Sequence, residues 1–181
     1  MQRGFYIDTG ICVGCYTCMA ACKNWNNIAP QVTAEPGTPG PKWRRVTTVE
    51  AGEYPNARIV YVSLSCMHCG KPACIQVCPA DAISKRAEDG IVTVDRNRCI
   101  GCHACAAACP FGVPQYGEDG TMQKCNYCLD RIGKGEEPAC VASCPPKALR
   151  AGTMEELSKM ASGKTARRLV SATDPSVWVT R

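Results

Sequence analysis

Cys99-Ile100-Gly101-Cys102-His103-Ala104-Cys105-Ala106-Ala107-Ala108-Cys109-Pro110 decides how this chain is read. Its pattern, C-x2-C-x2-C-x3-C-P, is the spacing with which a loop of thiolates holds a cubane iron–sulfur cluster. Two residues between cysteines let one tight loop aim successive sulfurs at one cubane. A short loop cannot supply all four corners, so the fourth thiolate comes from elsewhere, in two-cluster proteins from the last cysteine of the partner motif. The proline after it cannot continue the preceding helical turn and redirects the chain.

The remaining cysteines fall into three more groups, and none of the 16 is left over. They are Cys12-Cys15-Cys18-Cys22, Cys66-Cys69-Cys74-Cys78 and Cys125-Cys128-Cys140-Cys144. Cys78 and Cys144 are also followed by proline. Four groups predict four 4Fe–4S clusters and a protein that moves electrons. Disulfides suit short secreted chains, and MQRGFYIDTG has no apolar signal segment, so a cytoplasmic location is expected. Zinc sites use separated C-x2-C pairs and rarely this run, which leaves a zinc-bound adaptor as the weaker reading.

Composition agrees. The chain has 181 residues, with 2 Phe against 16 Cys, 16 Gly and 13 Pro. So thin an organic core must be completed by the clusters. The formal charge of +5 counts cysteines as neutral. Each oxidised cubane with its thiolates carries roughly −2, which brings the loaded protein to about −3. The lysines and arginines then compensate cluster charge, and no nucleic-acid partner is expected. No stretch approaches the ~20 apolar residues of a membrane span.

Two segment types repeat. Asp8-x3-Cys12-x-Gly14-Cys15 recurs as Asp95-x3-Cys99-x-Gly101-Cys102. Pro72-Ala73-Cys74 through Cys78-Pro79 recurs as Pro138-Ala139-Cys140 through Cys144-Pro145. Gly14 and Gly101 are expected to let the backbone pass close to a cubane. Only 20 residues separate Cys78 from Cys99, and Ile83–Lys85 and Ile91–Val94 flank the turn dipeptide Asp89-Gly90. Groups two and three therefore read as one compact unit, with groups one and four paired around it. Sequential pairing, one with two and three with four, is the alternative.

Elsewhere, Pro30 to Pro41 reads as an exposed linker. Arg45–Glu50 and Arg58–Ser63 read as strands, and Lys42, Arg44 and Arg45 as a solvated face or a docking edge. The loop between Cys128 and Cys140 reads as a surface excursion. Thr153 to Glu156 resembles a capping box opening a short helix, and Ser176–Thr180 alternates like a strand. His68 and His103 are expected to be non-ligands that tune potential by hydrogen bonds to sulfur. Trp25, Trp43 and Trp178 read as packing or interface anchors. No nucleotide, phosphate-loop or nucleophile signature is present, and no group lacks a cysteine, so no substrate-transforming site is expected.

The complete pattern resembles the four-cluster electron-transfer subunit of the dimethyl sulfoxide reductase family of molybdenum or tungsten enzymes. The resemblance runs from Gly4-Phe5-Tyr6-Ile7-Asp8 to about Leu149. Its most specific parts are Ser65-Cys66-Met67-His68-Cys69-Gly70-Lys71-Pro72, Cys99-Ile100-Gly101-Cys102 and Pro110-Phe111-Gly112-Val113-Pro114-Gln115-Tyr116. It implies an α+β, loop-rich fold of nested bacterial ferredoxin-like units organised around the clusters. The outer unit would be residues 1–30 with 115–181, the inner unit 65–114, and 31–64 a linker and strand insertion. Crossed ligation then gives four sets: Cys12, Cys15, Cys18 with Cys144; Cys125, Cys128, Cys140 with Cys22; Cys66, Cys69, Cys74 with Cys109; and Cys99, Cys102, Cys105 with Cys78. Some relatives carry Trp at the position of Cys102 and hold a 3Fe–4S cluster; here the thiol is kept.

The resemblance also implies a large molybdenum- or tungsten-pterin partner, and a further redox subunit such as a flavoprotein or membrane anchor. A similar polyferredoxin serves tungsten-dependent aldehyde oxidoreductases, and a free diffusible polyferredoxin is the alternative. Group one departs from the family form, with Lys23 where a proline would follow Cys22. The chain ends soon after the last motif, which makes a membrane anchor the less expected partner. Relatives can also be exported folded with a signal-bearing partner, so a periplasmic location is the alternative.

Overall fold

The cysteine loops set the local structure. The computed structural model describes residues 1–29, 40–169 and 171–180, and most of the expected linker from Pro30 to Pro41 lies outside them. The elements, in chain order, are β1 (Arg3–Ile7), α1 (Thr17–Trp25), β2 (Arg45–Ala51), β3 (Arg58–Leu64), α2 (Ala73–Gln76), β4 (Ile83–Lys85), β5 (Val92–Val94) and α3 (Ala104–Ala108). There follow β6 (Gln115–Tyr116), β7 (Met122–Gln123), α4 (Leu129–Ile132), α5 (Ala139–Ala142), β8 (Leu149–Thr153), α6 (Met154–Ala161), β9 (Ala166–Arg168) and β10 (Val177–Thr180). The class is α+β, with short helices and small, mostly two-stranded sheets.

The sequence repeat is a structural repeat. Tyr16 (φ 59°) and His103 (φ 62°) both turn left-handed to open α1 and α3. Pro72 and Pro138 both stand immediately before α2 and α5, where a missing N–H costs nothing. Each of these helices carries a cysteine inward from its loop. α1 packs on α5 and α2 on α3, so the helix of group one meets that of group four, and group two meets group three.

Sheets tie these pairs together. β4 and β5 form the hairpin expected around Asp89-Gly90, with Gly90 at φ 70°. β2 and β3 pair antiparallel along seven residues each. The largest sheet has the order β8-β1-β10-β9, with β1 antiparallel to β8 and parallel to β10. The first strand thus sits between strands drawn from the last forty residues. Phe5, Ile7, Tyr127, Val141, Leu149 and Val177 are buried there against cysteines. Tyr127 fastens the sheet to the fourth cysteine group: its hydroxyl donates to Gly4 O at 2.7 Å and accepts from Gly152 N at 3.1 Å. The capping box at the head of α6 is present, and Glu155 pairs with Lys159 at 2.8 Å.

Gly14 and Gly101 have φ of 65° and 67°, a region that costs other residues strain. Protein neighbours also crowd both positions. A Cβ on Gly14 would lie 2.6 Å from the Tyr61 ring, and one on Gly101 would lie 2.8 Å from Gly120 O.

Candidate metal centres

The fold brings the sixteen thiols together four at a time. Cys12, Cys15, Cys18 and Cys144 line one small cavity with Ile7, Val46 and Leu149. Cys66, Cys69, Cys74 and Cys109 line another, walled by Val92, Phe111 and Met122. Cys78, Cys99, Cys102 and Cys105 line a third. Cys22, Cys125, Cys128 and Cys140 are all buried, and the charges of Cys125, Cys140 and Cys128 bear on Cys22. Each set takes three cysteines from one group and one from another. They are called below the Cys12, Cys66, Cys78 and Cys22 sets.

The donor chemistry suits a cluster. Burial pushes the Cys74 thiol up to about 12, with the neighbouring Cys66 adding to it and Lys124 opposing. Burial likewise raises Cys22, Cys66, Cys125 and Cys140. Such thiols keep their protons until bound metal supplies the positive charge. Among the described residues, no three His, Cys, Asp or Glu side chains stand close enough to hold a single metal ion. Thiolates 2.3 Å from one zinc would lie about 3.8 Å apart. The sulfurs of the Cys12, Cys66 and Cys78 sets instead ring apolar voids, as a multi-iron cluster requires.

The sets stand in an order. Cys18 bears on Cys140, so the Cys12 and Cys22 sets are neighbours. Cys125 bears on Cys66, which joins the Cys22 set to the Cys66 set. Met122 lines both the Cys66 and Cys78 cavities. Cys15 and Cys102, one from each terminal set, are exposed. Apolar Ile11, Val13 and Tyr16 stand exposed around Cys15, and Val77 and Ile100 beside the Cys78 set.

Sulfur hydrogen bonds come from residues that sequence reasoning did not single out. The Ser63 hydroxyl lies 3.3 Å from Cys18 Sγ, and the Tyr116 hydroxyl lies 3.3 Å from Cys105 Sγ. Met122 N donates to Cys99 Sγ at 3.3 Å and Ala82 N to Cys78 Sγ at 3.4 Å. His68 is fully buried; its Nδ1 accepts from Val92 N at 3.1 Å, and its Nε2 has no partner among the described residues. Burial, then the charges of Lys124 and Arg44, push its pKa well below the usual value. His103 stacks on Tyr116 at 3.8 Å.

Arg44 departs furthest from the sequence reading. It is 1% exposed, neither a solvated face nor a docking edge, because the sulfurs around it give a buried cation its counter-charge. Arg45 turns back to the carbonyls of Phe111 and Gly112. Lys124, 3% exposed, donates to Val92 O and Cys125 O. Trp25 Nε1 donates to Asp130 at 2.8 Å beneath Arg131, so the Cys128–Cys140 excursion is pinned to α1. Trp43 Nε1 donates to Gln123 at 3.0 Å.

Family models described as a 4Fe-4S dicluster domain match residues 57–154 and, separately, residues 5–79. The B component of the anaerobic dimethyl sulfoxide reductase of Escherichia coli is 44% identical over 167 residues, covering 87% of this chain and 77% of its own length. The B component of the sulfite dehydrogenase of Allochromatium vinosum is 39% identical over 168 residues, 86% of this chain and 70% of its own. The formate dehydrogenase-O iron–sulfur subunit of Escherichia coli is 35% identical over 168 residues, 88% of this chain and 56% of its own.

Proposed function

The chain belongs to the 4Fe–4S dicluster family, among the electron-transfer subunits of the dimethyl sulfoxide reductase family, and on that premise we propose that it relays single electrons for a molybdenum-pterin oxidoreductase. It carries four 4Fe–4S clusters and is itself non-catalytic. Bound clusters supply reversible one-electron storage; the chain supplies thiolates, spacing and charge.

In this reading the four sets are the four ligand spheres, crossed as the nested pairing requires. What supports it is one observation: every set joins three thiols of one group to a fourth from the group whose helix packs against it. The outer unit is residues 1–30 with 115–181 and the inner unit 65–114. Electrons run along the order Cys12, Cys22, Cys66, Cys78 set, in either direction. The apolar residues around Cys15 and beside Cys102 are where donor and acceptor approach. Among the described residues no helix is long and apolar enough to cross a membrane.

The experiment is to purify the complex anaerobically and strip this chain from it. The catalytic subunit should still react once with its substrate, while turnover with the physiological partner collapses. Full turnover without this chain rejects the relay. Iron far below about 16 per chain rejects the four-cubane assignment.

A further inference from the structure

Arg44 is the least economical residue in the molecule unless it serves the clusters. Its guanidinium is sealed from solvent. Among the described residues it meets no carboxylate. Nη1 donates to Ser63 O at 3.2 Å and Ser63 Oγ at 3.1 Å, and Nη2 donates to Ser65 Oγ at 2.8 Å. Phe5 lies beneath it, 4.5 Å from Cζ to the ring centroid, and Nε has no partner. A buried cation with such partners is costly. The negative groups that face it are sulfurs of two different sets: Cys18 of the Cys12 set, and Cys140, Cys125 and Cys22 of the Cys22 set. Ser63 Oγ, which accepts from Nη1, also touches Cys18 Sγ at 3.3 Å. Cys22, Cys125 and Cys140 keep their protons until metal binds, so their negative charge faces the guanidinium once they ligate a cluster. Arginine is in any case permanently charged.

We propose that Arg44 is a potential-setting residue: its fixed charge, buried between the Cys12 and Cys22 sets, biases both toward their one-electron reduced forms. This rests on the four-cluster reading. No bond of Arg44 is made or broken; the electron arrives from the donor subunit and leaves to the acceptor. A permanent cation lowers the cost of the added negative charge on either side of it, and low dielectric strengthens the effect. The bias is local. Lys124 takes the corresponding place for Cys66 and Cys74, while Cys105 of the Cys78 set is influenced by its burial, by the Tyr116 hydroxyl and by Cys99 and Cys102. Arg44 therefore divides the relay into a half it controls and a half it does not.

The test compares the full, cluster-loaded chain with Arg44→Gln and Arg44→Lys by anaerobic redox titration followed by electron paramagnetic resonance, after iron analysis of each. Arg44→Gln should lower the reduced-to-oxidised ratio of two clusters about tenfold at a given ambient potential, which is 59 mV for one electron, and leave the other two in place. Arg44→Lys, which keeps the charge, should hold those two within about threefold. Unmoved potentials in Arg44→Gln overturn the proposal, as do four potentials that move together, since a loosened fold acts on all. If Arg44→Gln loads less iron, Arg44→Lys decides: tenfold lowering of two clusters despite the retained charge overturns it. Wild-type protein without four clusters would instead refute the reading beneath it.

Discussion

Replacing Tyr127 by Phe removes one oxygen from the centre of the fold and should weaken the whole cluster scaffold. Tyr127 is fully buried between Cys125 and Cys128. Its hydroxyl bridges Gly4 and Gly152, which face each other across β1 and β8. The phenyl ring would keep its packing on Phe5, at 4.7 Å between centroids, and its edge contact with His68 at 5.6 Å. The loss is therefore polar: Gly4 O loses its donor at 2.7 Å and Gly152 N its acceptor at 3.1 Å. Each buried orphan costs about 1–3 kcal/mol, and partial relaxation leaves about 2–4 kcal/mol for the pair. Unfolding releases iron and is irreversible, so the quantity to measure is a rate. Under anaerobic guanidinium the brown absorbance of Tyr127→Phe should bleach about 30-fold faster or more, the kinetic equivalent of about 2 kcal/mol. That factor assumes the bridge is broken in the unfolding transition state. A bleaching rate within twofold of wild type would falsify the claim that this hydroxyl holds the first strand to the cysteine core.

Three further outcomes are expected. Cys102→Trp, at an exposed position of the Cys78 set, should cost about one iron per chain and introduce a 3Fe–4S signal in the oxidised protein, with the fold intact; unchanged iron content and spectrum would oppose it. Tyr116→Phe removes the hydroxyl 3.3 Å from Cys105 Sγ and should lower one potential alone, read in the same titration as Arg44. Thr153→Ala deletes the oxygen that accepts from Glu156 N at 3.2 Å, and should cost about 1 kcal/mol of helix stability, seen as faster amide exchange along α6 with all four potentials unmoved.

Much of this was legible because local patterns carry their own chemistry. The cysteine spacings name their clusters, Asp89-Gly90 marks its hairpin, and Thr153 with Glu156 announces a helix. The alternation of Arg45–Glu50 and Arg58–Ser63 yields paired strands, extended by one residue each to Ala51 and Leu64. What escaped depends on distant chain. Arg44 stands in a basic run that looks solvated; its counter-charges are sulfurs at Cys18 and Cys140, far away in sequence. Lys124 is hidden for the same reason. His68 lies among cysteines, and nothing local announces that the amide of Val92 on the neighbouring hairpin donates to its Nδ1. The pairing of β1 with β8 and β10 has no local signal at all.

That pairing bears on how the protein is made. The strand synthesised first waits for partners near residues 150 and 178 before its amides are satisfied. Cys12, Cys15 and Cys18 likewise wait for Cys144, whereas the inner thiols from Cys66 to Cys109 leave the ribosome within one short interval. Contacts of such long sequence separation close slowly. The inner two centres can therefore be filled on the nascent chain, and the outer two only after nearly all of it has emerged. Iron delivery to the outer centres becomes a late maturation event, and a truncated chain would carry a half-built relay with four N-terminal thiols, Cys12, Cys15, Cys18 and Cys22, open to oxidation.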